Sequence, residues 1–113
     1  MNREEKLEKV LLEFGIPHHI TGYTFIKQGL IMIMNDKSYR KNVCTRLYGD
    51  IAMNNDTTPS GVERGIRHAL EKAFENPSTA EAFVKYFGNS IDLRKGIVSN
   101  KHFLVTLADY ILD

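Results

Sequence analysis

Cysteine is almost absent from this chain, and Cys44 is the only one among 113 residues. A single thiol forms no internal disulfide, and it excludes zinc sites that need several cysteines. Because Cys44 follows Val43 and lies three positions before Leu47, we expect a small buried side chain rather than a nucleophile. The adjacent His18 and His19 would point in different directions and so do not form a metal-ligand pair. The sequence therefore predicts neither a metal nor any other cofactor.

Long hydrophobic runs are also missing. The longest one, Leu30–Met34, is far too short to cross a lipid bilayer. The amino-terminal residues Met1–Lys6 are polar and acidic, which is unlike a secretory signal. The composition, with 42% hydrophobic and 26% charged residues, is typical of a globular protein. We therefore expect one domain over residues 1–113 that resides in the cytoplasm and has no membrane partner.

The patterns that indicate catalysis are absent as well. The chain contains no glycine-rich phosphate loop of the GxGxxG or Walker type. Its carboxylates are scattered singly along the predicted helices, and its serine, histidine and aspartate residues have no recognisable triad spacing. We therefore predict that the chain is not an enzyme and has no catalytic residues.

Charge is unevenly distributed along the chain, although the net charge is only +1. Residues 37–72 contain seven lysines and arginines against four aspartates and glutamates, whereas residues 1–36 and residues 73–113 each contain four against five. A local basic surplus is the electrostatic signature of phosphate binding. The sequence therefore indicates residues 37–72 as the region in which a nucleic-acid contact is to be sought.

Hydrophobic periodicity predicts an all-α fold with about six helices and little or no sheet. The expected helices cover residues 4–14, 21–35, 38–53, 59–75 and 78–87, followed by a last helix that Ser99 caps. Residues 89–98 carry few helix signals and fit an extended loop or a short strand. In the second helix, the spacing predicts that the buried residues are Phe25, Ile26, Leu30, Ile31 and Met34.

The fourth predicted helix, residues 59–75, is the most informative segment. Thr58 fits its cap and Pro59 its first position, while Ser60 and Glu63 offer a competing start as a capping box two residues later. One face is apolar and suited to a core. The opposite face carries polar and charged groups, which are Ser60, Glu63, Arg64, Arg67, His68 and Glu71.

The third and fourth helices, joined by the polar turn 54–58, have the lengths of a helix-turn-helix. In that motif the second helix lies in the DNA major groove, while the first helix crosses the backbone. Arg64, near the start of the fourth helix, can bond guanine O6 and N7 together, and Glu63 can accept from the cytosine amino group. The spacing therefore leaves room for Glu63 and Arg64 to read bases and for residues 59–75 to be a recognition helix.

Other side chains of these helices are better placed for phosphates. These are Arg67 and His68, further along the fourth helix, and Lys41 or Arg40 near the start of the third. A plain alternative stays open, in which Glu63 and Arg67 form an ion pair four residues apart on a solvated face. In the same way, His68 can be an ordinary half-buried histidine. Spacing alone does not separate a DNA-reading helix from a solvated one.

A family resemblance rests on residues 57–71, which read TTPSGVERGIRHALE. This segment resembles the DNA-binding effector domain of the stage zero sporulation protein A family, and its VERxIRHA pattern is fairly specific. The similarity extends to residues 15–23, to residues 47–52, and to the carboxyl-terminal segments 87–88 and 99–109. Nearly the whole chain is therefore covered.

The resemblance implies a six-helix fold and a transcription factor that binds a short operator box in double-stranded DNA. It implies binding as a homodimer or as tandem copies, and it leaves room for a contact with RNA polymerase. Its implied base readers are Glu63 and Arg64, and its implied backbone contacts are Ser60, Arg67 and His68.

The chain departs from the family at three positions. Gly61 stands where the family usually has a basic or polar side chain, so one phosphate contact is expected to be lost. Gly65 replaces a small helix former and costs about 0.5–1 kcal/mol of helix stability. Val98 stands where proline is expected before the last helix.

The family's phosphorylated receiver domain is not part of these 113 residues, so we expect that phosphorylation does not control this chain in the usual way. Together with Gly61 and Gly65, this motivates an alternative function. In that alternative, the chain is a degenerate interaction module or antagonist that is not phosphorylated and binds DNA weakly.

Overall fold

Six α-helices form the part of the chain that the computed structural model describes, which is residues 1–88 and 98–113. They are α1 (Arg3–Glu13), α2 (Thr21–Asn35), α3 (Tyr48–Asn54), α4 (Pro59–Glu75), α5 (Ala80–Phe87) and α6 (Asn100–Leu112). No strand occurs among these described residues. The predicted all-α class with six helices is therefore confirmed. The loop or strand predicted for residues 89–98 lies, apart from Val98, outside the described residues.

The ends of the first two helices follow local signals. The Asn2 side chain caps α1 by accepting a hydrogen bond from the Glu5 amide at 2.8 Å. Gly15, just after this helix, has a φ of +64°, a left-handed conformation that glycine adopts without steric cost. The second helix has its predicted bounds, residues 21–35, and ends at Asp36.

The buried face of α2 differs from the predicted one at two positions. Ile31 is 38% exposed, so its predicted burial is wrong, and Met34 is half-buried. Ile33 is fully buried instead. Each helical residue turns by about 100°, so the stripe through Ile26, Leu30 and Ile33 leaves Ile31 on the opposite side.

The predicted third helix, residues 38–53, is not continuous. It is divided into a 3₁₀ segment (Lys37–Arg40), a π-helical segment (Val43–Leu47) and α3. The Asn42 side chain donates to the Ser38 carbonyl at 3.1 Å, which is the acceptor that the Asn42 amide would use in an α-helix. That amide bonds to Tyr39 instead, at 3.2 Å. The competition for one carbonyl explains why the α-helix does not run through this region.

Burial along this divided segment follows its apolar spacing. Val43, Leu47, Ile51 and Ala52 are buried. Cys44 is exposed, so its predicted burial is wrong. Because Val43 and Leu47 both face the core, the residue after Val43 is turned away from it.

The core is built around α2 and α6. The second helix packs against α3, α4 and α6, and α6 also contacts α1, α4 and α5. Aromatic rings join the amino-terminal and carboxyl-terminal helices, because Phe14 meets Phe83 edge-on at 4.9 Å between ring centres and Phe103 at 5.1 Å. Among the described residues, this packing leaves one face of α4 uncovered.

The last helices begin close to where the sequence places them. The predicted start of the fifth helix at residue 78 falls within a 3₁₀ turn, Pro77–Thr79, and α5 follows it directly. Phe87 is buried and Tyr86 is half-buried. Ser99 caps α6 as predicted, accepting from the His102 amide at 3.1 Å. None of the helices described here combines the length and the apolar character needed to cross a membrane.

Candidate nucleic-acid interface

The start of α4 is fixed by a threonine cap. The Thr58 side chain accepts a hydrogen bond from the Gly61 amide at 3.0 Å, and Thr58 itself is extended, with φ −110° and ψ 157°. Pro59 then occupies the first helical position, where its missing N–H group costs nothing. Of the two predicted starts, the one at Thr58 is therefore correct, and Ser60 lies inside the first turn.

Hydrogen bonds hold the turn before α4 against two helices, α3 and α2. The Ala52 carbonyl accepts from the amides of Asn55 and Thr57, at 3.2 and 3.1 Å. Between them, Asp56 has a φ of +57°, a left-handed conformation that aspartate tolerates better than most residues. The side-chain amides of Asn55 and Gln28 exchange two hydrogen bonds, at 2.6 and 3.3 Å. The turn is therefore tied to α2 as well as to α3.

The inward face of α4 packs against α2 through a glycine contact. A Cβ on Gly65 would lie 2.8 and 2.9 Å from two carbons of the Phe25 ring, and a Cβ on Gly22 would lie 2.2 Å from the Gly65 carbonyl oxygen. The two glycines therefore permit an approach that side chains would block. The apolar residues of this face are all buried, as predicted, and are Val62, Ile66, Ala69, Leu70 and Ala73.

The outward face of α4 carries the predicted contact residues. Ser60, Arg64 and His68 are exposed, while Glu63 and Arg67 are half-buried. Residues 60, 64, 67 and 71 follow one another at spacings of four, three and four, which places them along one side of a helix. Glu63 and His68 flank that row. The structure thus brings five of the six predicted site residues onto a single helix surface.

The charges on this face are not neutralised within the described protein. Glu63 and Arg67 form no ion pair with each other or with any other residue of the described ranges, and neither does Arg64. The plain alternative of a Glu63–Arg67 ion pair is therefore not what the structure contains. The alternative of a half-buried His68 is wrong, because His68 is exposed.

Lys41, the sixth predicted site residue, lies away from α4 in the chain. It is exposed and sits between the 3₁₀ and π-helical segments, not on the first turn of a long helix as predicted. Arg40, the competing candidate, binds Asp109 of α6. Lys41 makes no ion pair among the described residues, so its charge is more available to a partner than that of Arg40.

Arg46 is also committed to internal contacts. It pairs with Asp36 at 3.3 Å, and its guanidinium lies 4.4 Å from the centre of the Tyr39 ring. These interactions hold the 3₁₀ segment against the π-helical segment. Part of the basic surplus predicted for residues 37–72 is therefore structural. The cations of this region without an ion pair among the described residues are Lys37, Lys41 and three residues of α4, Arg64, Arg67 and Lys72.

Two residues next to α4 were not identified from the sequence. Asn100, at the start of α6, is 4% exposed, and its side-chain amide donates to the Glu63 carbonyl at 3.1 Å. Tyr48, at the start of α3, is also 4% exposed. Burial raises the pKa of the Tyr48 phenol, while the neighbouring Asn100 side chain partly opposes this rise. Nothing in the spacing around Asn100 shows that it reaches α4, since the contact joins residues 37 positions apart.

Possible metal ligands do not gather within the described ranges. No group of three or more histidine, cysteine, aspartate or glutamate side chains there is arranged to hold an ion. His18 stacks instead on the Tyr23 ring, with 4.5 Å between ring centres.

A comparison with protein families places the chain in a known family. A family model described as the C-terminal domain of the sporulation initiation factor Spo0A matches residues 7–111. The chain belongs to the sporulation initiation factor Spo0A C-terminal family. Spo0A C-terminal domains are DNA-binding regulatory domains connected with sporulation and are not an enzyme family. The α3–α4 pair is compatible with the helix-turn-helix expected of such a domain.

Proposed function

We propose that this chain is a sequence-specific DNA-binding domain of a transcription factor that reads a short operator box with α4 in the major groove. The observation that carries the proposal is the outward face of α4, which presents arginines and a carboxylate that no residue of the described protein neutralises. Membership of a DNA-binding family supports it. Such a face leaves both charges and hydrogen-bonding groups available to nucleic acid.

Sequence readout is assigned to Glu63 and Arg64. Arg64 is exposed near the start of α4, the part of a recognition helix that meets base edges. Its guanidinium can donate two hydrogen bonds to guanine O6 and N7, and the Glu63 carboxylate can accept from a cytosine N4 amino group. Together they would specify adjacent bases of the box.

Backbone contacts are assigned to Ser60, Arg67, His68 and Lys41. Hydroxyl, imidazole and cationic side chains bind phosphate oxygens and fix the register of the protein without reading sequence. Each phosphate that a cation neutralises releases counterions, so the logarithm of affinity should fall with the logarithm of salt by about 0.9 for each such contact. Arg67 and Lys41 should each contribute to that slope.

The partner, the assembly on DNA and the cellular location of the domain follow from the same proposal. The partner is a double-stranded DNA operator box, bound by a homodimer or by tandem copies of the domain, with a contact to RNA polymerase as a further step. Because the domain acts on DNA, we assign it to the cytoplasm. No cofactor is required for this readout.

The decisive experiment measures binding to a duplex selected by the protein from a random pool, and to a scrambled duplex, over a salt series. Arg64→Ala should weaken binding to the selected duplex by about 5- to 150-fold, the range of one bidentate base contact, and should affect the scrambled duplex much less. Lys72→Ala is the matched control, because it removes the same charge from the last turn of α4. Wild-type affinity of folded Arg64→Ala for the selected duplex would refute the proposal.

The alternative function, a weak-binding interaction module, predicts no duplex preference and a shallow salt slope in the wild type.

A further inference from the structure

Asn100 links α6 to the part of α4 that carries the proposed readers. It is the first residue of α6, and its Nδ2 donates to the Glu63 main-chain oxygen at 3.1 Å. In a regular α-helix that oxygen also accepts from the amide four residues on, which is Arg67. The Asn100 bond is therefore made at the turn between a base reader and a phosphate contact.

Tyr48 brings a third helix to the same place. This residue begins α3 and is almost fully buried. The charges of Glu63 and Arg67 both act on the Tyr48 phenol, and the Asn100 side chain interacts with the same phenol. Helices α3, α4 and α6 thus meet behind the turn that presents the readers, and Asn100 supplies a directional contact between two of them.

Stability alone does not explain an asparagine at position 100, because of the oxygen atom of its side-chain amide. Its Oδ1 is buried and has no hydrogen-bond partner in the described protein. An unpaired buried acceptor destabilises the folded state, whereas an apolar side chain of similar size would not. The amide provides two interactions that an apolar side chain lacks, which are the hydrogen bond to the Glu63 carbonyl and the interaction that lowers the pKa of the Tyr48 phenol. Of the two, only the first acts on the backbone of α4.

We propose that Asn100 is a positioning residue for DNA recognition, and that its hydrogen bond to Glu63 sets the rotation of the first turns of α4. The proposal rests on the proposed function of α4. Base contacts require donors and acceptors at defined positions on the base edges, so a small rotation of the helix removes them. Phosphate contacts from long side chains tolerate that rotation. Loss of the Asn100 bond should therefore lower sequence preference and leave general DNA affinity unchanged.

The test compares Asn100→Leu and Asn100→Ala with the wild type. Leucine approximates the size of asparagine and removes both the donor and the unpaired oxygen, and alanine covers the case in which leucine does not fit. Neither change alters charge. For each protein, the ratio of Kd values for a scrambled and a selected duplex is measured, together with urea unfolding.

We expect the ratio of Kd values to fall by about three- to tenfold in both variants, which corresponds to one neutral hydrogen bond. The Kd for the scrambled duplex and the salt slope should stay at wild-type values. Folding stability of Asn100→Leu should equal or exceed that of the wild type, an outcome that a merely structural role would not give. Ile111→Val is the matched control, since it loosens the far end of the same helix and should leave the ratio unchanged.

Three results would overturn the proposal. Both folded variants could retain the wild-type ratio, which would refute the positioning role and leave the proposed function intact. Both variants could be unfolded, which would make Asn100 a structural residue. The wild type could bind both duplexes equally, which would refute the proposed function and the positioning role with it.

Discussion

A methyl group on Gly65 would lie 2.8 and 2.9 Å from two carbons of the Phe25 ring. Helix propensity alone would favour alanine at this position by about 0.5–1 kcal/mol. The contact with α2 reverses that preference, because inserting a methyl group into a packed interface forces its neighbours to move. Packing against α2 therefore explains why a glycine occupies this position of α4, despite its cost to helix stability.

The first prediction follows at this residue. Gly65→Ala should lower the free energy of unfolding by about 1–3 kcal/mol, as overpacking does. Gly49→Ala is the matched control, because a Cβ there meets nothing within 4 Å, and it should raise stability by about 0.5–1 kcal/mol. Urea unfolding of both variants measures the difference. Equal stabilisation by the two alanines would show that Phe25 moves away without penalty.

Gly61 offers a second prediction, on DNA affinity. A Cβ at Gly61 would lie 2.7 Å from the Thr57 Oγ1, but Thr57 is exposed and its side chain can rotate away. Gly61→Arg should strengthen binding to any duplex and steepen the salt slope by about 0.9, the value for one added phosphate contact. Gly61→Ala adds the Cβ without the charge and should leave the slope unchanged. Identical slopes for the two variants would count against a phosphate near residue 61.

The helix face that carries the proposed readers could be predicted from the sequence, whereas the contacts that support this face could not. The spacing of Glu63, Arg64 and Arg67 along one helix is a local property, so the pattern shows which side chains share a face. Asn100 acts on Glu63 across 37 positions of chain, and no local pattern encodes that distance. His68 shows the same limit, since its exposure depends on what the neighbouring helices leave uncovered.

At the scale of helices, the cap of α4 gives a third prediction. Thr58→Ala removes the acceptor of the Gly61 amide and should lower the free energy of unfolding by about 1 kcal/mol. Thr58→Ser keeps the hydroxyl group and should stay close to the wild type. Circular dichroism during urea unfolding measures both variants. If alanine and serine behave alike, the first turn of α4 is held by Pro59 and by packing rather than by the cap.

The ends of a helix could be predicted from the sequence where the residues that set them lie next to the helix in the chain. Residues 21–35 and 59–75 were located correctly because Asp36 and Thr58 act on their immediate neighbours. The third helix was predicted as one piece because its apolar spacing continues through residues 38–53. The break at Asn42 depends on a side chain competing with the backbone for one carbonyl, which hydrophobic periodicity does not register.

At the scale of the whole molecule, α1 and α5 are joined by a carboxylate that responds to pH. Burial tends to raise the pKa of Glu13, but hydrogen bonds from Tyr86 and Lys85 outweigh this effect and lower it. Burial and the hydrogen bond to Glu13 raise the pKa of Tyr86. The pair is therefore favourable with Glu13 ionised and Tyr86 neutral.

The fourth prediction concerns stability against pH. Because folding lowers the pKa of Glu13, its contribution is present above the ordinary value of 4.5 and is lost as pH falls through that region. Because folding raises the pKa of Tyr86 from 10.0, the tyrosine contribution is lost as pH rises beyond that value. Glu13→Gln should flatten the acid limb of the stability curve measured by urea unfolding. An acid limb unchanged by this substitution would place the pH dependence elsewhere.

Cys44 has a consequence for how this protein behaves on isolation. The chain has one thiol, and that thiol is exposed, so under oxidising conditions any protein–protein disulfide that it forms joins two chains. Covalent dimers formed in this way would be abolished by a reductant, which distinguishes them from dimers that assemble on DNA. The same thiol accepts a single maleimide fluorophore at a defined position without any mutation. Fluorescence anisotropy of the labelled chain would then report DNA binding in solution.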